Sequence, residues 1–358
     1  MGIEKGVLCG ISTEGIASYN ETELLANTAS VKIIQKIIQN KNVPDARYFL
    51  GRGKAEEIAR ISKEIKADVV IFNHNLRPNQ QRNLEDLINV KIVDRCTLIL
   101  DIFARHARTT EGKLQVELAQ LVYLLPRLSG KGKDLSQLGG GIGTRGPGET
   151  KLEIDKRNIR GRIEFLEEKL ETVRAHRKVM REGRKSKGFM SATLVGYTNS
   201  GKSTLLNMLT KSNVLVENKL FSTLDPTTRK LYLSSKTSIL LTDTVGFIRN
   251  LPSELVTSFR ATLEEIEHSD LIIVVLDSSR LDLDVQLEAV YRELKELHAM
   301  EKPMITVLNK IDMALEQRIP RLRNEYPEAV LISAKESINI QELMSKIALI
   351  SKGLLTNT

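Results

Sequence analysis

Ala192-Thr193-Leu194-Val195-Gly196-Tyr197-Thr198-Asn199-Ser200-Gly201-Lys202-Ser203-Thr204-Leu205-Leu206-Asn207-Met208-Leu209 is the stretch whose reading decides the fold. Residues 192–195 read as a strand, and 204–209 carry apolar side chains at helical spacing. Between them, Gly196 to Ser203 fits a phosphate loop, with a glycine at each end of its turn followed by lysine and serine. Glycines let backbone N–H groups turn inward around phosphate oxygens, and the helix N-terminus adds partial positive charge. Lys202 supplies a point charge, and the Ser203 hydroxyl can ligate Mg²⁺. The competing reading is a glycine-rich strand-to-helix turn without a ligand, and the rest of the chain has to choose between them.

At 358 residues the chain is long enough for two or three domains and a sizeable core. No apolar run approaches the ~20 residues that cross a bilayer, the longest candidate being Leu271 to Leu276, and the start has no signal-like apolar region. Cys9 and Cys96 are the only cysteines, which suits a reducing compartment, and neither has a metal-ligating neighbour at useful spacing. The expected location is the cytoplasm, with peripheral membrane association left open. The net charge is +8, but its distribution matters more. Residues 104–188 hold 20 basic against 11 acidic side chains, whereas 189–358 hold 19 against 21. The basic middle points to an anionic partner, or to a solvated helix face.

Residues 1–103 alternate strand and helix patterns: a strand over Gly6–Ser12, a helix over Glu21–Gln39, and a short strand at Arg47–Leu50. A helix over Lys54–Ile65, a strand at Asp68–Phe72, a helix from Pro78 to Ile88 and a strand at Val90–Val93 follow. This predicts a small parallel-sheet α/β domain. Gly51-Arg52-Gly53-Lys54 lacks the spacing of a phosphate loop and reads as a helix entry, and His74 reads as a structural turn residue. From Thr97 the pattern turns helical, with Leu114, Leu118, Leu121, Val122 and Leu125 spaced by threes and fours. A second long helix from about Leu152 carries Ile159, Ile163, Leu166, Leu170 and Val173 as a heptad seam, with Arg160, Arg162, Lys169, Arg174, Arg177, Lys178 and Arg181 mostly off it. The two helices are expected to pair as a hairpin. Between them, Ser129 to Lys151 alternates glycines with Lys131, Lys133 and Arg145, a composition suited to entering a crowded polyanionic surface such as folded RNA, or to a linker. Gly141-Ile142-Gly143-Thr144-Arg145-Gly146 formally fits a dinucleotide fingerprint but has no strand before it.

The last segment chooses between the two readings of the opening stretch. A strand over Ser238–Leu241 runs into Asp243-Thr244-Val245-Gly246, where an aspartate at a strand's carboxyl end can hold the Mg²⁺ shell and Gly246 can face a γ-phosphate. Leu271–Leu276 reads as a buried strand, Leu283–His298 as a helix, and Met304–Leu308 as a strand leading to Asn309-Lys310-Ile311-Asp312. The Asp312 carboxylate can accept both N–H donors on guanine's edge, a pattern adenine lacks, while the Lys310 stem can lie along the ring. Ser333-Ala334-Lys335, after Val330–Ile332, can turn a backbone N–H toward the guanine carbonyl oxygen. Four motifs in order, each at a strand end, make the chain resemble a translation-factor-type P-loop GTPase with a Ras-like domain. The residue after Gly246 is Phe247, where many Ras-like enzymes place a water-orienting glutamine, so slow intrinsic hydrolysis stimulated by a partner is expected.

Asn75 to Glu85, Leu98 to Arg105, Glu111 to Leu121 and Gly139 to Leu152 further resemble signature stretches of the HflX family of ribosome-associated GTPases. The resemblance implies an N-terminal domain and hairpin that bind the large ribosomal subunit and its rRNA, with Gly130–Lys151 reaching inward, and dissociation of stalled or idle ribosomes. It implies that Phe221-Ser222-Thr223-Leu224-Asp225 is switch I, that Thr223 joins Ser203 as the second Mg²⁺ ligand, and that Lys202, Thr223 and Gly246 serve catalysis. On sequence alone Thr227 and Thr228 rival Thr223. The carboxyl-terminal extension of some members is expected to be absent. The expectation is therefore a monomeric GTPase in three parts: 1–103, the basic hairpin 104–188 and the P-loop GTPase domain 189–358. The alternatives are a switch that docks a protein partner through its hairpin and a ribosomal subunit maturation GTPase.

Overall fold

A computed structural model of the chain describes residues 2–128, 151–186, 188–212, 220–221, 224–234, 237–249 and 263–356. Ser222, Thr223, Asn250 and the glycine-rich stretch Ser129 to Thr150 lie outside the described residues. The chain divides into two compact units, one built mainly from Met1–Arg105 and Lys113–Thr172, the other from His106–Gly112, Val173–Leu251 and Phe259–Thr358.

In the first unit, β1 (Glu4–Ile11), α1 (Gly15–Thr28), β2 (Val31–Gln39), α2 (Arg52–Glu64), β3 (Val69–Phe72), α3 (Pro78–Ile88) and β4 (Lys91–Asp94) build a four-stranded parallel sheet in the order β2-β1-β3-β4. The predicted helix over Glu21–Gln39 is corrected: helix gives way to strand at Ser30, whose φ of 65° ends the helical turn. Ile33, Ile34, Ile37 and Ile38 imitate a helical repeat, but β-branched side chains favour the pleated strand β2, which pairs in parallel with β1. The predicted strand at Arg47–Leu50 is instead a tight turn. The Asp45 carboxylate accepts the N–H groups of Arg47 (2.8 Å) and Tyr48 (3.0 Å), and Phe49 adopts a φ of 65°. The helix entry at Gly51 and the start of α3 at Pro78 are as expected, the latter closed by Gln80 Oε1 accepting the Arg77 N–H at 2.9 Å.

The helical segment comprises α4 (Arg95–His106), α5 (Thr110–Leu124) and α6 (Lys151–Lys185). Within the first unit, Leu114, Leu118, Leu121 and Val122 of α5 pack on Ile163, Leu166 and Leu170 of α6. Leu166 and Leu170 are the seam residues buried most deeply, which bears out the heptad reading and the pairing of the two helices.

In the second unit, β5 (Ser191–Gly196), α7 (Lys202–Thr210), β6 (Thr227–Tyr232), β7 (Ser238–Asp243), β8 (Leu271–Asp277), α8 (Leu283–Glu296), β9 (Met304–Asn309), α9 (Arg318–Glu325), β10 (Val330–Leu331) and α10 (Ile340–Thr356) form a six-stranded sheet. Its order is β10-β9-β8-β5-β7-β6, with β6 antiparallel to β7 and the rest parallel. Every residue of β8 is buried, as a strand covered on both faces requires. The carboxyl ends of β5, β7, β9 and β10 carry the loops that the motifs occupy.

Candidate functional site

The phosphate loop forms where β5 meets α7. Asn199 and Gly201 take left-handed backbone conformations, with φ of 61° and 92°, and a Cβ on Gly201 would lie 2.3 Å from Asn309 Nδ2. Lys202 is buried, and its ammonium donates to the carbonyls of Gly196 (3.1 Å) and Tyr197 (2.9 Å). Burial pushes its pKa down to about 8, against the pull of the Asp243 carboxylate. The buried hydroxyls of Thr198 and Ser200 have no hydrogen-bond partner among the described residues. Two such orphaned hydroxyls beside a buried ammonium fit an oxyanion ligand that completes them.

The strand β7 delivers Asp243, fully buried, whose Oδ2 accepts the Ser203 hydroxyl at 2.6 Å. An alcohol held by a buried carboxylate at the helix start fits the donor chemistry of a hydrated Mg²⁺. Thr244 donates to the Leu194 carbonyl at 2.8 Å, Val245 is buried, and Gly246 approaches the loop so closely that a Cβ would meet Lys202 Nζ at 2.8 Å. Phe247 is also buried. Its N–H donates to Gly196 O (3.0 Å) and its carbonyl accepts the Thr198 N–H (2.8 Å), which zips the two loops together. Thr228 lies in β6 with its hydroxyl on Thr242 at 2.9 Å, an engagement that weakens its claim as a metal ligand. Phe221 and Leu224 are buried, and Asp225 is half-buried.

At the base end, Asn309 braces two loops: its Nδ2 donates to Ser200 O and its Oδ1 accepts the Ala334 N–H, both at 2.9 Å. The Ser333 N–H goes to Ile338 O, and the Ile311 N–H to Ile332 O. Lys335 has no backbone N–H partner among the described residues. Asp312 is exposed, and its carboxylate has no hydrogen-bond partner among the described residues. Lys310 donates to Asn199 O (2.7 Å) and to Asp277 Oδ2 (2.8 Å). Asp277 was missed by the sequence reading, which ended that strand at Leu276; an aspartate closing a buried strand is a usable signal. Also missed were Arg249, whose N–H donates to the Tyr197 hydroxyl at 2.8 Å, and Asp282, which pairs with Arg249 and Arg280. Against the upward push of burial, the hydrogen bonds from Arg280 and Gln286 hold the Asp282 carboxyl down at about 2.

Three family models cover most of the chain: a GTP-binding GTPase N-terminal model over residues 17–104, a GTP-binding GTPase middle-region model over 106–184, and a 50S ribosome-binding GTPase model over 191–310. GTPase HflX of Caldanaerobacter subterraneus subsp. tengcongensis is 49% identical over 346 residues, 96% of this chain and 80% of that protein. The chain belongs to the HflX family. GTPase HflX of Escherichia coli is 45% identical over 91% of this chain and 77% of its own length. Among solved structures, a complex of SsGBP with GDP is 27% identical, matches 98% of this chain and 99% of that one, and gives a TM-score of 0.55. As an HflX-family member the chain is a P-loop GTPase, and the loops that carry its motifs meet around Gly196–Ser203.

The basic face of α6 is partly engaged within the molecule. In the second unit Arg177 pairs with Glu111 at 2.6 Å, Arg174 with Glu264 at 3.5 Å, and Arg181 with Glu264 and Glu265 at 3.6 and 3.5 Å. In the first, Arg162 pairs with Glu117 at 2.7 Å. Arg160 and Lys178 of the same helix are exposed. Among the described residues no helix is long and apolar enough to cross a membrane.

Proposed function

We propose that the protein is a GTP-gated factor that binds the large ribosomal subunit and its rRNA through residues 104–188 and dissociates stalled or idle ribosomes. The observation that carries the ribosomal reading is the charge split, 20 basic against 11 acidic side chains over 104–188, beside a GTPase domain that matches the 50S ribosome-binding model. Residues 1–103, 104–188 and 189–358 act as its three functional segments. Gly196–Ser203 wraps the phosphates, Lys202 neutralises them, Gly246 faces the γ-phosphate, and Asp312 with Lys310 selects guanine. Ser203 and Thr223 would hold Mg²⁺, which when bound screens charge on the β- and γ-phosphates. Phe247 offers the nucleophile no hydrogen bond, so intrinsic hydrolysis is slow and rises on the ribosome.

Co-sedimentation with large subunits in the presence of a non-hydrolysable GTP analogue tests this. Binding should weaken steeply as salt rises and should drop on deletion of Gly130–Thr150. Binding indifferent to both would sink the reading. The internal pairing of Arg174, Arg177 and Arg181 favours a second reading, a switch whose hairpin docks a protein partner, which salt-indifferent capture of a ribosomal protein would support.

A further inference from the structure

Switch I ends at Asp225, and that carboxylate is seated on the first turn of α5. Its Oδ2 accepts the backbone N–H groups of Arg108 (3.1 Å) and Thr109 (3.0 Å), and its Oδ1 accepts the Thr109 hydroxyl. The same hydroxyl oxygen accepts the Gly112 N–H at 2.9 Å, so Thr109 is the N-cap of α5 and Asp225 is bonded to the cap. A carboxylate at this position also meets the positive end of the helix. The fit is close: a Cβ on Gly112 would lie 2.3 Å from Asp225 Oδ1. The residue before it in the turn, Glu111, is paired with Arg177. Burial raises the Glu111 pKa and the neighbouring Asp225 charge adds to that, which places both carboxylates in one electrostatic neighbourhood. On the other side of Asp225, Leu224 is buried and β6 begins at Thr227.

We propose that the first turn of α5, through Thr109 and Gly112, is a positioning element for GTP hydrolysis: it seats Asp225 and so anchors the carboxyl end of switch I. The proposal rests on reading Phe221–Asp225 as switch I. Anchoring one end of a switch shortens the segment that must be ordered when GTP binds, and so lowers the entropy cost of the GTP state but not that of the GDP state. The coupling is reciprocal: whatever displaces this turn loosens switch I, and whatever orders switch I firms the turn. The turn lies in the segment matched by the middle-region model, 106–184, so the contact joins the timer to the part of the sequence proposed to meet the partner.

The test uses the full chain with Gly112→Ala, Thr109→Val, Thr109→Ser and Thr223→Ala. Single-turnover GTP hydrolysis, the affinities for GDP and for a non-hydrolysable GTP analogue, and the Mg²⁺ dependence of the latter are measured for each. Gly112→Ala and Thr109→Val should each slow hydrolysis and weaken the GTP analogue by about five- to tenfold, leave GDP binding unchanged and raise the Mg²⁺ requirement. Thr109→Ser should restore all three, because it keeps the hydroxyl. Unchanged hydrolysis in both variants, equal losses for GDP and GTP analogue, or a serine variant as poor as valine would overturn the proposal. If Gly112→Ala does not fold, the valine and serine pair decides. Thr223→Ala separates the two layers: no change in Mg²⁺ dependence there removes the switch I reading itself, whereas a loss there with silent α5 variants removes only the positioning role.

Discussion

Both units place the carboxyl end of a parallel sheet at a point where neighbouring connections leave in opposite directions, the place where open α/β sheets take ligands, yet the two crevices are furnished differently. In the first unit the end of β1 and β3 is filled by the chain itself. The Tyr19 hydroxyl donates to Ile11 O at 2.7 Å, Asn73 Nδ2 donates to Ser18 Oγ at 3.0 Å, and the guanidinium of buried Arg95 donates to Thr22, Asn73 and, at 3.2 Å, Glu21. In the second unit the corresponding crevice holds the unpartnered hydroxyls of Thr198 and Ser200 and the open carboxylate of Asp312. The same architecture is closed by an internal network in one case and prepared for a nucleotide in the other. Fold alone does not assign a site; the side chains at the strand ends do.

The largest effect expected from this contrast is on stability. Arg95→Met leaves the Glu21 carboxylate buried without a counter-charge and should cost about 3–5 kcal/mol in chemical denaturation of the full chain, with little change in nucleotide affinity of the folded protein. Adding Glu21→Leu should recover much of the loss. A cost under about 1 kcal/mol for the single change would mean that the filled crevice is not a buried ionic core. The opposite signature belongs to Asp312→Asn, which on the proposed assignment removes two charge-assisted hydrogen bonds to guanine. It should weaken GDP binding by about a hundredfold or more and leave the melting temperature in place. Xanthine carries a carbonyl where guanine carries its amino group, so the amide should bind xanthosine diphosphate in preference to GDP. Failure of that exchange would remove Asp312 from the base site.

The contrast also separates what the sequence could and could not show. The phosphate loop, the Asp243 and Asn309 strand ends and the heptad seam at Leu166 and Leu170 are local patterns, and local patterns are legible. The strand β2 was not, because isoleucine pairs four residues apart carry helical and strand readings at once, and only pairing with β1 decides between them. Arg95 reaches Glu21 across 74 residues, and Asp225 reaches Thr109 across 116. Neither separation leaves a periodic trace. The internal ion pairs of α6 are illegible for the same reason: charge counts say how many cations a helix has, not which are already matched.

A smaller effect follows from Lys202. Its pKa is held at about 8 by burial in the free protein, and a bound phosphate favours the charged form, so the bound-state value is higher. Binding then takes up a proton above pH 8. Affinity is fully present below that pH and is lost as pH rises through it, by about tenfold between pH 7 and 9. Lys202→Met should bind weakly with a flat profile in that window, and a wild-type profile equally flat would show that the ammonium does not carry the phosphate interaction.

The smallest effect, and the one that sharpens the picture of the second crevice most, concerns Asp277. The Lys310 ammonium is held between Asn199 O and Asp277 Oδ2, at 2.7 and 2.8 Å, and the pair keeps partial contact with solvent. Asp277→Asn keeps an acceptor and removes the charge, so it should weaken GDP binding by only about fivefold, the upper range for a partly exposed ion pair. Its signature is in the base. On the proposed assignment Lys310 lies along the ring face and Asp312 reads the ring edge, so Asp277→Asn should weaken GDP and inosine diphosphate by the same factor. Asp312→Asn should penalise GDP far more than inosine diphosphate, which has no amino group to lose. Equal discrimination by the two variants would mean that Asp277 acts on the edge-reading loop and not on the lysine that covers the base.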